Sequence, residues 1–259
     1  KYRLICNPNS DLLVDTVHLA KDKDLQAVGI AMHVLADTWA HRYFAGTPSL
    51  VINNTDEYFY EIIRTDKGEE ERKITFKHST TFQDDIEHSV YVNSLYQFNE
   101  NAIMNLGHGR AGHLPDYSFI KYKYLPAWMD YEEIVKDNPD DYMHAFAQMV
   151  YALKYFRGEE EEFRKDTYDF VSIEPYRERI DAILRKRQTD ASADWKAFGE
   201  ELSKSVVEPF DLEKYTASYK DASKDEKKDT FLGRFFTDAV AQKRMVSEKI
   251  FAKRKKRSR

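Results

Sequence analysis

The chain has 259 residues, 42% of them hydrophobic and 14% aromatic, enough for one large core or two modest ones. Its 40 basic and 45 acidic side chains leave a formal net charge of -5, a balance that demands neither nucleic acid nor a membrane surface as partner. A single cysteine, Cys6, excludes an internal disulfide framework and thiolate-rich zinc sites, and no run of about 18 apolar residues is present to span a bilayer.

The chain opens at Lys1 with neither a methionine nor a charged-then-apolar leader. The expectation is a cytoplasmic protein with further residues upstream. Asp11 to Lys21 has Leu12, Asp15, His18 and Leu19 at helical spacing. Asp24 to Phe44, DLQAVGIAMHVLADTWAHRYF, is the chemically loaded helix and ends near Gly46-Thr47-Pro48. It contains His33-x-x-x-Asp37-x-x-x-His41, and a step of four turns only about 40° around a helix. The three side chains therefore share a face with Ile30, Ala40 and Phe44, while Val28, Met32, Val34, Leu35 and Trp39 cover the others. This pattern predicts a helix apolar nearly all round, and so buried.

Two imidazoles and a carboxylate in such a place are costly unless a cation or a hydrogen-bond network compensates them. His33 and His41 lie about 12 Å apart along the axis. Asp37, between them, is placed as a carboxylate bridging two metals about 3.5–4 Å apart, one leaning on each histidine. A metal-free ion-pair network is the alternative.

Leu50 to Thr81 changes character. YFYEIIR and RKITFKH are aromatic and β-branched and flank TDKGEEE, which predicts a β-hairpin. Asp84 and Asp85, bracketed by His78 and His88, fit the solvated start of a helix running from Phe82 to Leu106. Gly107 to Asp116 (GHGRAGHLPD) combines three glycines, two histidines, an arginine and an aspartate. Glycines let the backbone turn sharply, and His108, His113 and Asp116 are candidate metal ligands. Arg110 is a fixed cation suited to a phosphate.

Tyr117 to Met129 reads as a half-buried extended connector, and Pro139 to Arg157 as a helix with His144 near its start. After Gly158 come a charge run and three amphipathic segments, Ile173 to Leu184, Trp195 to Val207 and Thr230 to Phe251. All eight histidines precede this region. The terminal AKRKKRSR is a basic tail suited at most to weak nucleic-acid or anionic-lipid contact. No P-loop, dinucleotide-binding glycine fingerprint or G-x-S-x-G elbow occurs.

The stretches HVLADTWAHRYFAG and LGHGRAGHLPD resemble a family of uncharacterised bacterial proteins. These are similar in turn to the zinc-dependent phospholipase C and single-strand zinc nuclease superfamily. The resemblance implies an all-α multi-helix bundle of the phospholipase C type, with a small β-hairpin insertion around 58-77. With no internal repeat and no long low-complexity linker, the chain reads as one helical domain over 1-259, with a metal-binding core at 1-157 and a C-terminal helical extension and basic tail at 158-259. His33 and Asp37 would be the superfamily's His-x-x-x-Asp pair, with His41 as the further histidine.

The expected function is a metal-dependent hydrolase of phosphate esters, using metal-activated water on one or two Zn²⁺ or another divalent transition metal. His33, Asp37, His41, His108, His113 and Asp116 are the ligand candidates, and Asp37 and Arg110 the catalytic ones. A small-molecule or lipid phosphoester would be substrate, with no specific nucleic acid and no transmembrane segment. The alternatives are hydrolysis of another bond type and a non-catalytic helical protein with a structural metal. The oligomeric state stays open.

Overall fold

A computed structural model describes residues 5–79, 81–93 and 105–255. The helices are α1 (Asp11–Ala20), α2 (Leu25–Ala40), α3 (Leu50–Asn53), α4 (Asn138–Arg157), α5 (Phe170–Ile173), α6 (Arg177–Arg185), α7 (Ser192–Ser203), α8 (Leu212–Asp221) and α9 (Phe231–Lys255). The strands are β1 (Phe59–Thr65), β2 (Gly68–Lys73), β3 (Thr75–His78), β4 (Val90–Asn93), β5 (Lys121–Tyr124) and β6 (Ile134–Asp137). The chain forms two compact units. One comprises Lys1–Pro8, Asp37–Phe146 and Ile173–Trp195, the other Asn9–Ala36, Ala147–Ser172 and Lys196–Arg259.

The strands correct the all-α expectation: this is a mixed α/β protein. Its first unit holds a four-stranded antiparallel sheet in the order β2-β1-β5-β6 and a parallel pair, β3-β4. The hairpin around 58-77 is present but tighter than its charge run implied. Thr65 faces Gly68 across a two-residue turn, and the glutamates read as turn belong to β2, with Glu61 opposite Arg72. Gly68 sits at φ +122, open to glycine and strained for other residues.

β5 comes from the stretch read as a connector. Its tyrosines alternate with lysines, and Lys123 reaches Glu71 (2.7 Å) and Glu133 (3.1 Å), so a charged side chain is tolerated in the sheet. Phe59, Tyr122 and Tyr124 pack with Phe44, Ile74, Tyr91, Ala111 and Leu114. Phe44 stacks on Tyr124 at 5.5 Å, and Tyr124 on Phe59 at 5.4 Å. The end of α2 and the Gly-rich loop are thereby seated on the sheet.

The helix expected over Phe82 to Leu106 is a second correction. Residues 82–89 turn, and β4 then pairs with β3. The middle of that stretch, 94–104, lies outside the described residues. Side chains at its start capture neighbouring groups that a helix would leave free. Asp84 Oδ1 accepts from the Val92 amide (2.6 Å), and Ser89 Oγ donates to Glu61 Oε2 (2.6 Å). Buried Glu61 also pairs with Arg72 (2.9 Å) and with Arg187, which draws the segment after α6 onto the sheet. Ser118 Oγ adds a bond to the Leu184 carbonyl (2.9 Å).

The second unit is helical. Asn9 organises its start: the side-chain amide donates to Tyr168 (2.7 Å) and accepts from Gln148 (2.8 Å). Ala20, Ala27 and Ala31 form a small core there with Phe156. α2 itself is not apolar all round in its surroundings. Its buried stripe is Ala27, Ala31, Leu35 and Trp39, spaced by four, and His33 on the opposite side is exposed. Among the described residues no helix is long and apolar enough to cross a membrane.

Asn53, at the end of α3, clamps the segment that follows α2. Its Oδ1 accepts from the Ala45 amide (3.1 Å), and its Nδ2 donates to the carbonyls of Ala45 (3.2 Å), Thr47 (2.6 Å) and Asn105. Asn53→Ala strands several buried backbone groups. The expected loss is about 2–3 kcal/mol of unfolding free energy, measured by urea denaturation.

Candidate metal centre

Two loops of the first unit meet through their backbones. α2 ends at Ala40, and the His41 amide still bonds to the Asp37 carbonyl (2.8 Å). The chain then straightens: Cys6 N donates to Phe44 O (2.8 Å), and Gly107 N to Ala45 O (2.7 Å). Ala45 thus bridges Ile5 on one side and Gly107 on the other, which places His41 beside His108. Gly107 opens the glycine-rich loop at φ +54, and Gly112 closes its first turn at φ 52, ψ -133. Side chains other than hydrogen avoid that last conformation. Leu114–Asp116 follows as a short 3-10 turn held from α4. Asn138 donates to the carbonyls of Leu114 (2.8 Å) and Tyr117 (2.7 Å), and the Tyr142 hydroxyl to that of Pro115 (2.7 Å).

This scaffold gathers His41, His108 and Asp116. One potential ligand atom from each lies within 4.8 Å of the other two, the one such His/Cys/Asp/Glu group among the described residues. The imidazole centroids of His41 and His108 are 4.6 Å apart, and His108 Nε2 is 3.9 Å from Asp116 Oδ1. Donors around a tetrahedral ion at about 2.1 Å sit about 3.4 Å apart. Closing the present spacing needs side-chain movements of about 1 Å, within ordinary rotamer play.

Each group is prepared for a cation. His108 Nδ1 lies 2.7 Å from the Gly112 carbonyl, which only accepts, so Nδ1 carries a proton and Nε2 is the ring nitrogen directed to Asp116. His41 is held below its ordinary pKa, first by burial and then by His108, against the pull of Asp37 and Asp116. It is neutral at physiological pH, the form a metal needs. His108 is 24% exposed and Asp116 49%, so solvent reaches the cluster from the carboxylate side.

Other charged groups crowd the same region. Asp37 acts electrostatically on His41, on Cys6 and on Tyr142. Burial, with Asp116, Asp37 and Asp141 following, keeps the Tyr142 phenol protonated. Asp141 bonds the buried Lys136 (2.8 Å) and Arg42 (2.9 Å), and Lys136 also donates to the Trp39 carbonyl (3.2 Å). Burial pushes the Lys136 ammonium down while Asp141 holds it up. The Cys6 thiol is pushed up to about 11 by burial, then by Asp37.

The remaining sequence candidates sit elsewhere. His33 is exposed and falls in the second unit. His113 turns its Nδ1 to Asp84 Oδ2 (2.8 Å), an oxygen that also receives the Tyr117 hydroxyl (2.5 Å). Arg110 is buried, with Nε donating to Asn105 Oδ1 (3.0 Å). Asp84, Asn138 and Tyr142 were missed as supports of the loop. Only Asp84 carried a signal, its place in a His- and Asp-rich stretch.

Sheet, helices and cluster define a mixed α/β protein with a candidate cation centre of two imidazoles and one carboxylate. The chain belongs to the DUF6765 family, a family of unknown function, whose profile matches residues 1–250. No curated protein and no solved structure matches it. An uncharacterised family was expected from the residues; a link to the zinc phospholipase C superfamily is not part of the match.

Two outcomes follow from the titrating groups. With its pKa raised from 9.0 to about 11, Cys6 has about 100-fold less thiolate near pH 8 than in the unfolded chain. Iodoacetamide should label it slowly in native protein and fast in urea. His41 is depressed in the fold, so below an ordinary value of 6.5 the unfolded chain binds a proton that the native one does not. Metal-free protein should lose stability as pH falls through that window toward the lowered pKa. His41→Gln should make the loss shallower in denaturation series across pH.

Proposed function

We propose that the protein is a divalent-metal-dependent hydrolase in which His41, His108 and Asp116 hold one ion, zinc in the first instance. The observation that carries the reading is the convergence of those three donors within 4.8 Å, with the His108 tautomer fixed by Gly112. Two imidazoles and a carboxylate leave a coordination position for water or substrate, as catalytic rather than structural zinc sites do. A zinc ion there would supply a water acidic near neutral pH and a Lewis acid for a phosphoryl or acyl oxygen.

The chain's own residues have separable tasks. His108 and Asp116 face the solvent-accessible side, where substrate arrives. Asp37, which acts electrostatically on His41, is the carboxylate assigned to proton transfer. Tyr142 and Asn138 keep the Asp116 turn in place. Arg110, engaged with Asn105, positions the loop and does not serve as a phosphate clamp. Phosphate esters remain the substrate class proposed first, and carboxylic esters and amides form the comparison set. In a second reading Asp37, whose charge acts on His41, would move in as a fourth ligand and close the site as a structural one.

Elemental analysis of protein purified without added metal tests both. About one equivalent of zinc per chain is expected, falling at least about tenfold in His108→Ala and Asp116→Asn and staying unchanged in His33→Ala. Asp37→Asn should keep the metal and lose turnover of aryl phosphate mono- and diesters. Loss of metal in that variant moves the assignment to the structural reading, and a wild type that binds no divalent ion ends the proposal.

A further inference from the structure

Asp84 sets a buried carboxylate against an exposed imidazole. Its side chain is 4% exposed and that of His113 56%. Oδ2 accepts from His113 Nδ1 (2.8 Å) and from the Tyr117 hydroxyl (2.5 Å), and Oδ1 from the Val92 amide (2.6 Å). With three donors on two oxygens, the carboxylate is fixed in orientation, and it fixes the ring in turn. Asp84 and His113 are 29 residues apart in the chain, so tertiary structure makes this pair. The His88–Asp85 contact, by contrast, spans three residues and leaves both side chains in solvent. Because the Asp84 carboxylate accepts, His113 Nδ1 carries a proton, and Nε2 has no protein partner among the described residues.

The ring also stands in a telling place. His113 leads into the 3-10 turn Leu114–Asp116 with φ -85 and ψ 3. On such a turn, positions three apart eclipse, about 6 Å from one another along the axis. His113 is therefore on the Asp116 side of the turn, yet it is not among the donors that come within 4.8 Å of one another. Both side chains are exposed, on the side from which solvent reaches the cluster. An imidazole anchored through Nδ1 suits either a metal ligand or a proton carrier. A position beside the donor group, but outside it, favours the carrier.

We infer that His113 is the general acid of the proposed hydrolase, with Asp84 as its positioning residue. The inference rests on the hydrolase reading. As water adds to the phosphorus or acyl carbon, Asp37 takes its proton. As the bond to the leaving oxygen breaks, His113 Nε2 delivers a proton to that oxygen, and exchange with solvent then restores both side chains. Asp84 keeps the ring from turning over and presenting Nδ1 in place of Nε2.

Two measurements test the role. In metal-free protein, proton NMR should show a slowly exchanging downfield imidazole N–H that His113→Gln and Asp84→Asn each remove, with the far-ultraviolet circular dichroism spectrum unchanged. In zinc-loaded protein, His113→Gln should keep the metal and slow hydrolysis of phenyl esters at least about 100-fold, while dinitrophenyl esters, whose anion departs without a proton, keep nearly the wild-type rate. Asp84→Asn should show the same split in milder form. Loss of zinc in His113→Gln makes that residue a ligand and overturns the inference. A missing N–H resonance, or the absence of a split between the two esters, overturns it equally. A zinc-bound wild type that turns over no ester ends the hydrolase reading and this role with it, a result distinct from an active wild type whose variants show no split.

Discussion

The candidate centre depends on a main-chain contact: the Gly107 amide on the Ala45 carbonyl, 2.7 Å apart, with Asn53 bonding both faces of Ala45. None of the three proposed ligands takes part in it. Yet the contact fixes where α2 releases the chain and where the glycine-rich loop begins, so His41 and His108 meet as a result of backbone geometry. Backbone hydrogen bonds in a buried position are satisfied almost without exception, and a side-chain amide is one of few groups able to supply donor and acceptor at once. Packing then does the rest. Phe44, one residue before Ala45, stacks on the sheet, so strand and loop positions are set together.

Around this scaffold the protein keeps several carboxylates out of water, each with its own compensation. Glu61 has two guanidinium partners and a hydroxyl, Asp141 an ammonium and a guanidinium, and Asp84 an amide, an imidazole and a phenol. Such pairs add little net stability, but removing one partner leaves a buried charge exposed to the full desolvation cost. Their effect is to make the arrangement specific. Asp116 differs from these three in being half open to solvent. That contrast, rather than the number of acidic groups nearby, marks it as the carboxylate with capacity to spare.

Three of the six residues read as ligand candidates come together in the fold, and less of the architecture was legible. His41, His108 and Asp116 stood out because imidazoles and a carboxylate flank glycines and an apolar helix. The face of α2 was misjudged, since alanines at 27 and 31, small enough for close approach, set the buried stripe and not the larger Val28 or Met32. β5 was hidden because lysines interrupt its aromatic pattern, and their ion pairs with Glu71 and Glu133 are visible only in three dimensions. The Phe82 to Leu106 stretch had helical periodicity, and in its described part side-chain bonds from Asp84 and Ser89 overrode it. Local propensity is a weak prior where tertiary partners compete for the same groups.

β2 has a consequence beyond its pairing with β1. Among the described residues it is an outermost strand of the sheet, with one row of amides and carbonyls facing no neighbouring strand, the arrangement through which proteins zip together into aggregates. Its sequence, GEEERK, loads that rim with five charged side chains in succession, whose hydration an incoming strand would have to disturb before it could form a ladder. The hairpin that reads as a decoration on a helical protein thus acts as a guard rail, keeping a tyrosine-rich sheet from recruiting its own copies.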